Sequence, residues 1–296
     1  MTSRRPAHRP WPEGRPIDPA TLTVLLGLAS AAAWGAADFG GGLTGRRAPV
    51  MGVLAAAQAI GSAAALALLV ARGGGLPTLP DLAWATAAGT CGAIGLAALY
   101  RGLADGRMGI VAPVTGVLAA AIPVAVGIAL AGSPGPARVV GFGLGIVAVI
   151  LVSSADDGST GRRGLGLALG AGCALGLYNV AISRASPAGT FGVVAWSRLV
   201  ATLAVLVLAR AGHQRVRLSP RVLPAAAVVG LLDMTGNAAF IVAAQVGRLD
   251  VAGLLSSLYP VTTVVLAVLL LGERVTRAHA AGIVAAGAAV ALIALG

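Results

Sequence analysis

DDGSTGRR, residues 156–163, divides the chain into two parts, each with five apolar segments of membrane length. A helix needs about 20 largely apolar residues to cross the hydrocarbon core of a bilayer. Ten segments meet this requirement, at approximately 21–41, 51–71, 82–104, 109–131, 137–154, 164–183, 190–211, 222–245, 250–272 and 277–295. The sequence therefore predicts an all-α integral membrane protein with ten transmembrane helices.

The two parts resemble each other at a constant shift of 141 residues. Without any gap, the shift carries Gly35 onto Gly176, Gly89 onto Gly230, Gly95 onto Gly236, and Gly106-Arg107 onto Gly247-Arg248. Because each part crosses the membrane an odd number of times, the second must lie upside down relative to the first, as in many secondary transporters. We expect a disordered tail at 1–20, a first repeat at 21–155, a loop at 156–163 and a second repeat at 164–296.

Composition supports a membrane protein and argues against several soluble classes. Hydrophobic residues make up 57% of the chain and charged residues 10%, against roughly 25% charged residues in a typical soluble domain. The net charge of +11 comes from arginine alone, mostly in the N-terminal tail and the short breaks, so no dense basic stripe indicates nucleic acid. Cys91 and Cys173 lie within apolar segments and form no CxxC motif, so neither a disulfide framework nor a zinc site is predicted.

Two sequence features make opposite predictions about the orientation of the chain in the membrane. With the N-terminus on the inner side, eight arginines lie in inner segments and twelve in outer ones. The positive-inside rule then favours the opposite orientation. A proline-rich tail with four arginines should nevertheless be hard to translocate, which favours an inner N-terminus.

The last stretch of the chain resembles the final two helices of EamA-type transporters of the drug/metabolite transporter superfamily. The shared features are Pro260, the Leu-Gly-Glu at 271–273, Thr276 and Gly282. Trp34-Gly35 followed by Phe39 is similar to the family's first-helix signature. The resemblance extends over about 21–296 as two EamA units.

This resemblance implies a ten-helix fold with both termini cytoplasmic, a multi-pass location in a bacterial inner membrane, and transport of small metabolites without ATP. The first unit departs from the pattern, since Gly132 and Ala119 occupy the positions equivalent to Glu273 and Pro260. The expected partners are the lipid bilayer, a small-molecule substrate and, as candidates, a proton as coupling ion and a second copy of the chain. No cofactor, metal or nucleic acid is expected.

Three ionisable residues lie well inside predicted spans: Asp38, Arg198 and Asp233. Charged groups in a bilayer are costly and usually face a cavity or a partner, so each is a candidate for substrate binding or coupling. Asp38 follows Trp34 by one turn on the same helix face, and its carboxyl could couple a proton gradient to transport. The alternative is a hydrated carboxylate near the end of its helix. The shifted counterpart of Asp38 is Asn179, which does not titrate, so coupling would fall on one half.

Asp233 and Asn237 lie four residues apart in the eighth span and share a helix face. They could line a cavity that binds an amine, or Asp233 could form an ion pair with Arg198 that merely neutralises both. We expect a combination, in which the ion pair lies at the cavity wall and a substrate carboxylate or amine competes for one partner.

The ninth span carries three hydroxyl side chains on one stripe, Ser256, Tyr259 and Thr263. Pro260 cannot donate to the Ser256 carbonyl. A freed carbonyl beside hydroxyls is typical of the interrupted helices that line transporter sites, and the alternative is a proline kink satisfied by its neighbours. The aromatic side chains of Trp34, Tyr100, Tyr178 and Tyr259 are candidate cavity walls or interface anchors.

Other conspicuous residues are expected to be structural. For Tyr100, which lies beside Arg101 near a helix end, the interface anchor is favoured over the cavity wall. Glu273, beside Arg274 and Arg277, is predicted to form a structural or gating ion pair. Small residues at spacing four, Gly141 with Gly145 and Gly166 with Gly170, fit close helix packing better than a nucleotide loop, because no strand precedes them and no Lys follows.

The predicted function is secondary transport by alternating access, with export as the expected direction and small metabolites, amino-acid-like compounds or drugs as substrates. The alternatives are a lipid-modifying membrane enzyme and a non-transporting membrane subunit. Short loops and scattered acids argue against the enzyme, and a continuous polar cavity would argue against the subunit.

Overall fold

The computed structural model describes residues 18–72, 77–131, 135–154, 161–184, 190–246, 252, 255, 256 and 258–295. Along these residues run ten helices: α1 Pro19–Gly45, α2 Val50–Arg72, α3 Leu79–Asp105, α4 Met108–Ala131, α5 Pro136–Ser154, α6 Gly161–Ser183, α7 Thr190–Ala211, α8 Leu223–Val246, α9 Tyr259–Leu271 and α10 Arg277–Leu295. The described part of the chain contains no strand. The prediction of an all-α protein is therefore confirmed.

The first helix begins inside the segment that was predicted to be a tail at 1–20. Pro19 stands in the first turn of α1, where its missing N–H is not needed. Asp18 caps the helix by accepting a hydrogen bond of 2.9 Å from the Thr21 backbone N–H. The hydrogen bonds from the Thr21 side chain and backbone hold the pKa of the exposed Asp18 carboxyl below its ordinary value. The rest of the predicted tail, residues 1–17, lies outside the described residues.

Two other bounds differ from the predicted ones. Helix α6 begins at Gly161, so the last three residues of the predicted loop 156–163 are helical. Arginines are tolerated there because a helix end reaches the polar edge of the membrane. In the ninth span, α9 begins at Tyr259, with Pro260 in its first turn.

The outer surface of the bundle is apolar enough to face lipid. Six helices combine the length and hydropathy of a membrane span: α1, α2, α3, α6, α7 and α8. The other four contain shorter apolar stretches. Large apolar side chains point outward along the helices, including Val70 at 75% exposure and Leu269 and Val284 at 72% each. A surface of this kind would be unstable in water, and the chain is a multi-pass membrane protein.

Helix packing follows the 141-residue shift. Helix α1 packs on α8, and their shifted counterparts α6 and α3 also pack on each other. Helices α2 and α7 are counterparts of one another and form a packed pair, and so do α5 and α10. The correspondence extends to single residues: Gly95 lies against Leu175, and Gly236 lies against Trp34. The shift turns the first of these contacts into the second. The two halves therefore use the same glycines to let neighbouring helices approach closely.

Glycine spacing alone is a less reliable guide to packing. A Cβ at Gly145 would approach the Val117 side chain at 3.0 Å, as expected for a packed helix. At Gly166 and Gly170, an added Cβ would meet no described atom within 4 Å. The prediction of close packing at Gly166 and Gly170 is therefore wrong, because a small-residue stripe faces a neighbour only if the fold places one there.

Candidate functional site

An ion pair lies inside the bundle, where α2, α7 and α8 meet. The Arg198 guanidinium donates to the Asp233 carboxylate through Nη1. The same nitrogen also donates to the Gln58 side-chain oxygen at 3.0 Å. The Arg198 side chain is 10% exposed and the Asp233 side chain 20%. The ion pair expected from the sequence is thus present, and it is supported from a third helix.

Three further side chains surround this pair, and together the six residues form what we call the central cluster: Asp38, Gln58, Tyr100, Tyr178, Arg198 and Asp233. The Asp38 carboxylate is close enough to Asp233 to interact with it electrostatically. The Tyr100 hydroxyl interacts electrostatically with Asp38, Asp233 and Arg198. The Tyr178 hydroxyl interacts in the same way with Arg198 and Asp233. The six side chains come from six different helices.

The central cluster holds two carboxylates and only one guanidinium. Asp38 is 8% exposed and has no hydrogen-bond partner among the residues that the structure describes. The alternative of a freely hydrated carboxylate at a helix end therefore does not describe Asp38, since α1 continues to Gly45. With both acids ionised, the cluster carries one negative charge that no described side chain neutralises. A buried charge of this kind calls for a proton or a cationic group.

Two members of the central cluster were not recognised from the sequence. Tyr100 was predicted to be an interfacial anchor, but it is 3% exposed and its ring packs against Gly41. The prediction is wrong because α3 continues for five residues to Asp105, which places Tyr100 inside the bundle. Gln58 was not predicted to be a site residue, although a side-chain amide in the middle of an apolar span is itself a signal for a buried partner.

An aromatic group adjoins the cluster along α1, α8 and α9. The Trp34 ring lies edge-on to Tyr259 at 6.4 Å between centroids, and at 5.9 Å from Phe240. Trp34 also covers Gly236, where any larger residue would collide with the indole. Trp34 and Tyr259 thus form one wall of packed rings.

Near the start of α9, the Thr263 hydroxyl has hydrogen-bond partners, whereas the hydroxyl of the preceding Ser256 has none among the described residues. Thr263 Oγ1 donates to the Gly35 carbonyl at 3.1 Å and lies 3.3 Å from the Tyr259 carbonyl. Ser256 is 2% exposed, and its Oγ has no hydrogen-bond partner among the residues that the structure describes. A buried hydroxyl without a partner is costly, and it marks a position where a ligand or a water would be held.

The two candidate asparagines are already engaged by backbone carbonyls. Asn237 Nδ2 donates to the Asp233 carbonyl at 2.6 Å, one turn earlier on its own helix. Asn179 Nδ2 donates to the Ala119 carbonyl at 3.3 Å, across to α4. In these bonds both side-chain amide nitrogens donate to backbone carbonyls and not to side chains of the central cluster.

A second polar group, which we call the end clasp, joins the two halves at the end of the bundle where α4 begins. Glu273 accepts hydrogen bonds from the backbone N–H groups of Met108 at 3.1 Å and Gly109 at 3.0 Å. Arg46 lies 3.6 Å from the same carboxylate. The expected ion pair of Glu273 is therefore with Arg46, and the neighbouring Arg274 takes part through its carbonyl, which accepts from Arg107.

No grouping of three or more His, Cys, Asp or Glu residues suited to a metal ion occurs within the described ranges.

Known proteins resemble this chain in sequence over its second half and in fold over most of its length. Residues 162–295 match the model of the EamA-like transporter family. A solved structure described as "Crystal structure of protein" has a TM-score of 0.62 and 20% sequence identity, and the alignment covers 91% of this chain and 96% of that one. At that identity the likeness shows the fold alone. No curated protein matches the chain. The family match extends over the second half of the chain, from the start of α6 to the end of α10.

Proposed function

We propose that the protein is a secondary transporter, which exports small polar or amphipathic metabolites through a central site between two inverted five-helix halves. The observation that carries this proposal is the central cluster. An apolar bundle gains no stability from burying three charged side chains where aliphatic ones would pack. Charged groups at that depth are typical of substrate and proton pathways.

The packing supports two halves that move against each other. The sequence shift of 141 residues and the recurring glycine contacts relate α1–α5 to α6–α10. Five helices in each half would place the second upside down relative to the first. We therefore assign 21–155 and 164–296 to two inverted repeats, whose rocking would open the central cluster to one side of the membrane at a time.

The charge balance of the central cluster suggests how transport is coupled. Arg198 neutralises one carboxylate, so a proton or a substrate amine would be needed to neutralise the second. If the proton and the amine compete for Asp38, then binding of one releases the other, which is proton antiport. The aromatic wall of Trp34 and Tyr259 would hold the uncharged or cationic part of the substrate.

Metabolite profiling of cells that overproduce the protein tests this function. We expect at least one compound to change its ratio between medium and cells in the wild type, and not in Asp38→Asn or Asp233→Asn. Asp18→Asn is the matched control, because it removes a carboxylate from the same helix as Asp38 but at an exposed cap. All three variants must reach the membrane in equal amounts.

The same profiling separates the alternatives. If no compound responds to the wild type, the protein is a non-transporting subunit and the transport proposal fails. A change confined to lipid composition would instead favour a lipid-modifying enzyme. Location in a bacterial inner membrane and formation of a homodimer stay predictions, and light scattering of the purified protein in detergent would test the second.

A further inference from the structure

A large cavity lies at the end of the bundle where α2 begins, apart from the central cluster. It has a volume of about 610 Å³. Its walls come from the start of α2, the end of α3, the start of α6 and the segment between α7 and α8. None of the six central-cluster residues lines it. A volume of this size is within the range of small-molecule sites, roughly 300–1,000 Å³.

The lining of this cavity has two chemical parts. Three arginines belong to it, Arg101 on α3, Arg163 on α6 and Arg215 in the segment after α7. Apolar side chains, among them Met51 and Leu167, make up most of the remainder, and the described lining contains no acidic residue. We call this cavity the basic vestibule.

The positive charge of the basic vestibule is only partly neutralised. Arg101 forms an ion pair of 2.8 Å with Asp105, one turn further along α3. Arg163 and Arg215 have no ion-pair partner among the residues that the structure describes. Two guanidinium groups from separate elements thus border an apolar space that no described carboxylate lines. Guanidinium groups bind phosphate through paired hydrogen bonds, and more than one can bind the same phosphate.

We propose that the basic vestibule binds a phosphate ester, with the phosphate held by Arg163 and Arg215 and the ester body packed on Met51 and Leu167. Two sources share this chemistry, the headgroup of an anionic phospholipid and a soluble phosphate ester. The site is independent of the transport proposal, because it uses none of the residues that would bind the transported compound.

Binding to the purified full-length protein in a neutral detergent tests the site. One arm compares phosphatidylglycerol with an uncharged glucosyl diacylglycerol, and the other compares glycerol 3-phosphate with glycerol, each by titration against intrinsic tryptophan fluorescence. The double variant Arg163→Gln, Arg215→Gln removes both free guanidinium groups. The matched control is Arg210→Gln, Arg221→Gln, which removes two exposed arginines near the same end of the bundle that do not line the vestibule.

We expect at least one phosphate probe to bind, and its affinity to fall on the order of 10-fold or more in Arg163→Gln, Arg215→Gln but not in the control. If Arg163→Gln, Arg215→Gln weakens the binding of phosphatidylglycerol, the site holds a lipid headgroup. If it weakens the binding of glycerol 3-phosphate, the site holds a soluble ester. Equal losses in both double variants would reveal a general electrostatic effect and overturn the proposal. Binding of the uncharged probes as tightly as the phosphates would also overturn it. The single variant Arg215→Gln, at an exposed position, repeats the test if the double variant is poorly folded.

Discussion

The central cluster joins the two halves of the chain through the hydrogen bond from Arg198 to Gln58, and the end clasp joins them through Glu273. Both contain carboxylates, but they differ in how those carboxylates are satisfied. In the end clasp, each oxygen of Glu273 accepts from a fixed backbone N–H group at the start of α4. In the central cluster, Asp233 is bound by the Arg198 side chain, and Asp38 has no partner in the described part of the chain. Backbone donors hold one geometry, whereas side chains can exchange partners. The first arrangement suits stability and the second suits binding.

The largest expected effect comes from breaking the central ion pair. Arg198→Gln should destabilise the protein by up to about 3–5 kcal/mol, because it leaves the largely buried Asp233 without its counter-charge. The double variant Arg198→Gln, Asp233→Asn should recover much of this stability and still fail to transport the compound found by profiling. Unfolding in detergent and transport by the same preparations provide the two measurements. Transport by the double variant with unchanged substrate affinity would mean that the pair is only scaffolding.

Alanine substitutions at glycines test whether the two halves share the same helix packing, although they do not share the charged residues of the central cluster. A Cβ at Gly230 would approach the backbone of Ala57 on α2, and one at Gly89 would approach Val200 on α7. Gly230→Ala and Gly89→Ala should each cost about 1–3 kcal/mol of stability. The control Gly166→Ala has open space around it and should gain about 0.5–1 kcal/mol, as in an ordinary helix. Equal thermal shifts in all three variants would contradict the repeated packing.

Removing the acid of the end clasp should affect stability more than transport. Glu273→Gln loses the Arg46 ion pair and places a donor where one of the two backbone N–H groups needs an acceptor. We expect a loss of about 1–3 kcal/mol, with the melting temperature lower by a few degrees. Transport at a temperature well below the transition should stay within a few-fold of the wild type. A complete loss of transport in a stable variant would contradict a purely structural role and show that Glu273 takes part in transport.

The smallest effect is expected at Asp18, which caps a helix as Glu273 does but in full contact with solvent. Its pKa is lowered in the folded state by the hydrogen bonds from Thr21. Its charge therefore contributes stability above the unfolded pKa, and that contribution is lost as pH falls through the folded pKa. The melting temperatures of the wild type and Asp18→Asn should differ slightly at neutral pH and converge below about pH 4. A gap that widens on acidification would contradict this assignment.

Local features were predicted better from the sequence than contacts were. The apolar runs identified the helices because their length must match the bilayer, and the Arg198–Asp233 pair was expected because each charge needs a partner inside it. Tyr100 was misplaced because its neighbour Arg101 suggested a helix end, whereas α3 continues to Asp105. Glu273 was predicted to pair with the adjacent arginines, but its carboxylate accepts from the backbone N–H groups of Met108 and Gly109, more than 160 residues earlier in the chain.

The sequence by itself determined that the chain is a helical membrane protein with few intramembrane charges, and it predicted a repeated scaffold. These properties depend on local hydropathy and on matches along the chain. Only the tertiary structure decided that Asp38, Gln58, Tyr100 and Tyr178 surround the ion pair, and that three arginines border one cavity. These residues come from different helices, and their meeting depends on how each helix is rotated and which neighbour it packs against. Apolar residues cover nearly every face of these helices, so periodicity does not reveal which face turns inward.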